Sequence, residues 1–167
     1  MIDFETKIPE FKIRLAKNGD EGIILGFIKE LAAYENLLDQ VEATEEKLHN
    51  TLFEKEYAEV LIGEYNDSPV GFVLFFHNYS TFLAKPGIYL EDVYVKPEFR
   101  HLGLGKIMIS KVAKIAVERN CGRMEWACLD WNEPSLQFYK KLGAKAMEEW
   151  VTHRLTGDSL LELALYS

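Results

Sequence analysis

The sequence predicts an α/β (α+β) fold, a mixed sheet with helices on both faces. Three observations predict it. Strand-like apolar runs and segments of helical period follow one another in the order β-α-α-β-β-β-α-β-α-β-β. A strand-like run, a Gly-rich turn and a long helical segment occur in direct succession around Arg100–Lys106. The chain has 167 residues, of which 48% are apolar and 13% aromatic, enough for one domain with a real core.

Residues 1–10 read as a loose leader, and 11–167 as the single domain. Phe11 to Ala16 alternates and predicts the first strand. Asn18-Gly-Asp20 is a turn with Asp20 as candidate N-cap. From Glu21 to about Leu38, apolar residues at 24, 27, 28 and 31 mark one helical face. Thr44 caps a short helix over 45–53. Tyr57 to Tyr65 is a strand, Asn66-Asp-Ser-Pro69 a hairpin turn, and Val70 to Tyr79 an apolar strand. A loop at 80–87 holds Pro86-Gly87, and Ile88 to Val95 is the next strand. The following helix places Leu104, Met108, Val112 and Ile115 on one face. Met124 to Leu129 is a strand. Glu133 to Leu142 is a helix, with Pro134 in its first turn and Gly143 at its C-terminal end. Two strands are expected in 146–166, around Thr156-Gly-Asp158.

Composition excludes several classes of function. The formal charge of −8 argues against non-specific nucleic-acid binding and suits a cationic small substrate. No apolar run approaches the roughly 20 residues of a membrane span, and the N-terminus lacks the regions of a signal peptide. Cys121 and Cys128 read as free thiols of a reducing, cytoplasmic compartment. The four histidines lack metal-ligand spacing, so no metal is expected.

The Gly-rich turn, Arg100-His101-Leu102-Gly103-Leu104-Gly105-Lys106, can hold a phosphorylated ligand. Its glycines admit a close approach, and the helix start offers N–H groups and a positive dipole end. A Walker A loop would need Gly at 100 and Ser or Thr at 107, where Arg100 and Ile107 stand. A dinucleotide loop would need Gly at 108, where Met108 stands.

Arg-x-x-Gly-x-Gly resembles the pyrophosphate loop of the GNAT superfamily of acetyl-CoA-dependent N-acetyltransferases. Downstream, Asn132-Glu133-Pro134-Ser135-Leu-Gln-Phe138-Tyr139, ending at Gly143-Ala144, is similar to that family's other signature. The resemblance extends from about residue 11 to the diamine and polyamine branch. That branch comprises the spermidine/spermine N-acetyltransferases and their thialysine N-epsilon-acetyltransferase relatives. Ile28–Glu35, Tyr89–Asp92 and Trp131–Pro134 carry it.

The resemblance implies a mixed, mostly antiparallel, seven-stranded sheet splayed between strands four and five. Acetyl-CoA would enter that split, and the chain would form a homodimer. It implies cofactor contacts from Val93, Tyr94 and Val95, from the loop residues Arg100 to Lys106, and from Asn132, Glu133, Pro134 and Ser135. Tyr139 would be the acid that protonates the CoA thiolate. Tyr34, Glu35, Asp92 and Phe82 join Glu91 as the amine-contacting set.

The chemistry needs such groups. A primary alkylamine has a pKa of about 10.4, so a proton acceptor is required. Glu91 lies on the strand leading into the loop and fits that role. Asp92 would face the other way in a regular strand, and a bulge would bring the two acids together. Backbone N–H groups near Val93–Val95, freed by such a bulge, would hold the oxyanion. The polyamine enzymes resemble Tyr-Asp-Pro-Trp where this chain has Tyr79-Ser80-Thr81-Phe82. Loss of that acid favours a lysine-like or diamine acceptor over spermidine. A polyamine acceptor, a protein or peptide amine, and a non-catalytic acyl-CoA-binding module are the alternatives.

Overall fold

A computed structural model describes residues 5–166. Two compact units divide the chain, Met1–Ala127 and Cys128–Ser167. The first holds β1 (Phe11–Leu15), α1 (Glu21–Tyr34), a 3-10 turn at Leu38–Gln40 and α2 (Glu45–Leu48). α2 runs on into a π-helical turn, His49–Glu54. Then follow β2 (Glu59–Tyr65), β3 (Ser68–Ser80), β4 (Lys85–Val95), a 3-10 segment at Pro97–Leu102, α3 (Leu104–Glu118) and β5 (Met124–Trp126). The second unit holds α4 (Glu133–Lys141) and α5 (Gly157–Ala164).

The strands form one sheet in the order β1-β2-β3-β4-β5. All pairings are antiparallel except β4 with β5, which is parallel. The β2–β3 turn falls at Asn66 and Asp67, both with positive φ, as a two-residue hairpin on right-twisted strands demands.

Alternation along β2 separates two layers. Val60 and Ile62 face a core with Ile24, Phe27, Leu48, Leu52, Phe72 and Tyr94, so α1 and α2 cover that face. On the other face Gly63 lies against Phe11 and Met108, where a Cβ would come within 2.8 Å of the Phe11 ring. α3 packs there. Leu104, Met108, Val112 and Ile115 are all fully buried, as the helical spacing predicts.

Several expectations need correction, among them the strand from Met124, which ends at Trp126 and not at Leu129. The described residues contain five strands, where the resemblance implies seven. The tail does not form two strands, because Thr156 starts α5 instead. Asp158 in the first turn and the run Leu-Leu-Glu-Leu-Ala are good helix material, and the dipole and propensity win over the short alternation. α1 stops at Tyr34, short of Leu38, because Asn36 takes φ 60°. There Asn36 N–H donates to Ala33 O and Leu37 N–H to Ala32 O, a Schellman stop built on Asn. The loop at 80–87 shrinks to a tip at 81–84, since Pro86 and Gly87 pair with Tyr79 and Asn78 inside the hairpin. Asp20 sits at the N-cap position without bonding a helical N–H. Its carboxylate takes the Arg14 guanidinium at 2.7 and 3.0 Å, which holds its pKa below the usual range.

Met108 is fully enclosed between α3 and the sheet, so Met108→Ala leaves a cavity. Urea unfolding should show a loss of about 2–5 kcal/mol.

Candidate active site

The site is organised by one irregularity in β4. Leu74 opposes Asp92 and Phe75 opposes Leu90, so Glu91 is an extra residue in the antiparallel ladder. This is a β-bulge, and it bends the strand and re-aims its side chains. Leu90 is buried before it, Glu91 is exposed, and Asp92 and Val93 are half-buried beyond it.

The parallel pairing stops at the same point. Ile88, Tyr89 and Leu90 pair with Met124, Glu125 and Trp126, and β4 then runs on without β5 to Val95. Ile88 N–H donates toward β5, to Arg123 O, whereas Lys96 N–H donates toward β3, to Val70 O. Alternation back from Lys96 puts the N–H groups of Val93 and Val95 on the opened side. A short row of backbone donors thus lies beside the bulge.

The charges of two further carboxylates reach Asp92 there. Burial, then the charges of Glu91 and Glu35, push Asp92 up to about 6. Burial alone pushes Glu35 up. Glu35 arrives from α1 because the Asn36 stop ends the helix at that residue. A bound ammonium group would relieve the crowding of negative charge.

The Gly loop follows directly. Gly103 has φ 75° and opens α3, whose N-terminus no described side chain caps. Gly105 is not required by the protein's own packing. It is outside the left-handed region, and a Cβ there would meet only Val95 Cγ2 at 3.9 Å. That leaves room at the helix start for an anionic ligand to approach the backbone. His101, Leu102 and Lys106 are exposed around this opening, and Leu104 is buried under it.

Arg100 is placed differently from a free phosphate ligand. Its Nε donates to Val95 O at 2.9 Å. Its Cζ lies 4.9 Å from the Tyr34 ring centroid and 5.4 Å from that of Tyr94. One face of Tyr34 therefore already carries a protein cation, and Tyr94 is buried in the core beside Phe27.

Phe82 stands apart. It is 99% exposed at the tip of the β3–β4 hairpin. Lys85 at that tip and Glu91 lie well apart on β4, a distance of roughly 20 Å along a strand. Within one chain Phe82 does not join the acids.

In the second unit Asn132 caps α4, its side chain accepting from Ser135 N–H. Glu133 and Pro134 form the first turn, and Glu133 accepts from Gln137 Nε2 at 2.6 Å. Tyr139 packs against Phe138 with ring centroids 5.5 Å apart. Gly143 at φ 86° ends the helix, with Ala144 N–H donating to Tyr139 O and Gly143 N–H to Lys140 O. Asn132, Ser135 and Tyr139 are thus fixed relative to one another by capping at both ends.

Two features escape sequence reasoning. The Arg100–Tyr34 stack joins residues far apart in the chain, and no local pattern announces it. The raised pKa of Asp92 depends on which acid the bulge turns inward.

Comparison with known proteins agrees with this geometry. Residues 24–144 match the Acetyltransferase (GNAT) family model. The chain is 42% identical over 164 residues to a thialysine N-epsilon-acetyltransferase of Bos taurus, covering 91% of this chain and 96% of that one. It is 33% identical over 195 residues to an L-ornithine N5-acetyltransferase of Arabidopsis thaliana, covering 89% and 86%. An integron cassette protein from V. cholerae superposes with a TM-score of 0.79 at 25% identity, covering 93% of this chain and 98% of that one. The strand–loop–helix that opens the sheet and the sequence similarity along the chain agree, and this protein belongs to the GNAT family, as an N-acetyltransferase acting on amines.

Proposed function

We propose that the protein transfers the acetyl group of acetyl-CoA to the terminal primary amine of a small lysine-like amino acid or diamine. The observation that carries this reading is the cluster of Glu35, Glu91 and Asp92 at the β4 bulge, next to the uncapped start of α3. An acid cluster selects a cation, and the helix start suits a pyrophosphate. Thialysine and L-ornithine, for which two relatives are named, both end in a primary amine. Phe82 and Ser80 sit at or near a hairpin tip, so acceptor selection falls to Tyr34, Glu35, Glu91 and Asp92.

Binding and activation pull in opposite directions. Three carboxylates attract the ammonium but also stabilise its charged form, with a pKa of about 10.4 in water. Desolvation beside the sheet lowers that value, and a base must then take the proton as the nitrogen attacks. We assign that role to the half-buried Asp92, pushed up to about 6, in place of Glu91, acting directly or through water. Glu91 holds the charge of the acceptor and keeps Asp92 basic. The nitrogen adds to the thioester carbonyl, and the N–H groups of Val93 and Val95 face the developing oxyanion. The C–S bond breaks as the carbonyl re-forms. In this reading Tyr139 gives its proton to the leaving thiolate, while Asn132, Glu133, Pro134 and Ser135 contact the cofactor from the start of α4. The support for these roles is the family resemblance and the capped geometry of α4. The resemblance also supports a homodimer.

Three outcomes are expected. The kcat/KM for the amine should fall as pH drops through about 6 in the wild type, because protonated Asp92 accepts no proton. Asp92→Asn should lower kcat at least about 100-fold and abolish that acid limb, as read by thiol release from acetyl-CoA. Retention of the limb at about pH 6 would move the base elsewhere. Tyr139→Phe should reduce turnover at least about tenfold with nearly unchanged acetyl-CoA affinity, checked by steady-state kinetics and calorimetry.

A further inference from the structure

We propose that Arg100 and Tyr34 link the cofactor loop to the amine site, so that CoA binding tightens the hold on the acceptor. The inference rests on the reading that acetyl-CoA docks at the Gly loop and the amine at the acids.

The link is made of contacts that span the two subsites. Arg100 belongs to the 3-10 segment that leads into Gly103. Its guanidinium stands 4.9 Å from the ring of Tyr34 and 5.4 Å from that of Tyr94, and its Nε holds Val95 O at 2.9 Å. Tyr34 is the last residue of α1, and the next residue is Glu35, whose charge reaches Asp92. A displacement of the end of α1 at Tyr34 carries the adjoining Glu35 with it.

The end of α1 can respond. The buried residues of this helix are Glu21, Ile24 and Phe27, all in its first half. Tyr34 itself is 41% exposed. Core packing is complete at the start of α1 and partial at Ile28 and Leu31, and the Arg100 stack is a further contact at its last residue.

Arginine suits both duties. Its two faces bind aromatic rings while its edge carries five N–H donors, one of them committed to Val95 O. A phosphate taken on the edge fixes the plane of the guanidinium, and the plane fixes Tyr34. Coupling of this kind is reciprocal, so a bound amine also tightens CoA.

Isothermal titration tests it with CoA, which supports no turnover, and with the best-bound amine among L-lysine, L-ornithine and 1,3-diaminopropane. Wild-type protein should bind that amine at least about fivefold tighter with saturating CoA than without it. Tyr34→Leu should reduce that ratio to about one, with CoA affinity changed less than about twofold, and should raise the amine KM more than it lowers kcat. Tyr34→Phe keeps the ring and should keep the ratio. Arg100→Lys keeps the charge but loses the planar stack, and should lose the ratio while CoA still binds. Thermal melts check that each variant is folded, and the Phe and Lys variants decide the matter if the Leu variant is not. A wild-type ratio near one, or a wild-type ratio in Tyr34→Leu, overturns the link alone. Failure of wild-type protein to bind CoA, or any amine of the panel, overturns the functional reading and the link with it.

Discussion

One extra residue between Leu90 and Asp92 governs the arrangement of this molecule's chemistry. The antiparallel ladder with β3 continues on both sides of Glu91, so the surplus is absorbed as a bend. The bend coincides with the last β4–β5 pair, at Leu90 and Trp126. Beyond it β4 keeps β3 on one side and, among the described residues, has no strand on the other. The same step flips the alternation of the strand, bringing a half-buried Asp92 into the company of Glu91 and Glu35. Strand opening, donor row and acid cluster are thus three results of one register shift.

The rest of the first unit holds that irregularity in place. Tyr94, two residues past Asp92, is buried among Phe27, Phe72 and Ile62. Phe27 stacks on Phe72 of the paired strand with centroids 5.5 Å apart, so α1 holds both strands from one face. On the other face α3 presents Leu104, Met108 and Val112. A bulge in a strand clamped from both faces cannot slide, because a one-residue slip would turn Tyr94 out of the core.

Much of this was legible in the residues. The stripe of α3, the Asn66-Asp67 turn, the Thr44 cap and the Gly143 stop each rest on local rules, and each is present. The Gly turn was legible as a helix start, and Gly103 opens α3 with φ 75°. What was not legible depends on distant partners or on competition between weak signals. Asp20 reads as a cap until Arg14, on β1, takes its carboxylate. Leu160, Leu161 and Leu163 alternate poorly and helix propensity decides that segment, so the expected tail strands are replaced by α5. Phe82 falls in a stretch that resembles a binding loop, yet the pairing of Tyr79 with Pro86 carries it to a hairpin tip. The acids at 91 and 92 are visible at once, but only the register shows which one is turned inward.

An interior strand with one bare edge carries a hazard of its own. Val93, Tyr94 and Val95 have high strand propensity, and the open backbone groups of Val93 and Val95 could template a foreign strand. The guanidinium of Arg100 occupies the carbonyl of Val95, and the charges of Glu91 and Asp92 flank the other end of the gap. Charge beside a bare edge is how natural sheets discourage edge-to-edge growth. The residues to which the chemistry is assigned therefore also guard solubility, and replacing them with apolar residues would expose a sticky edge as well as an inactive site.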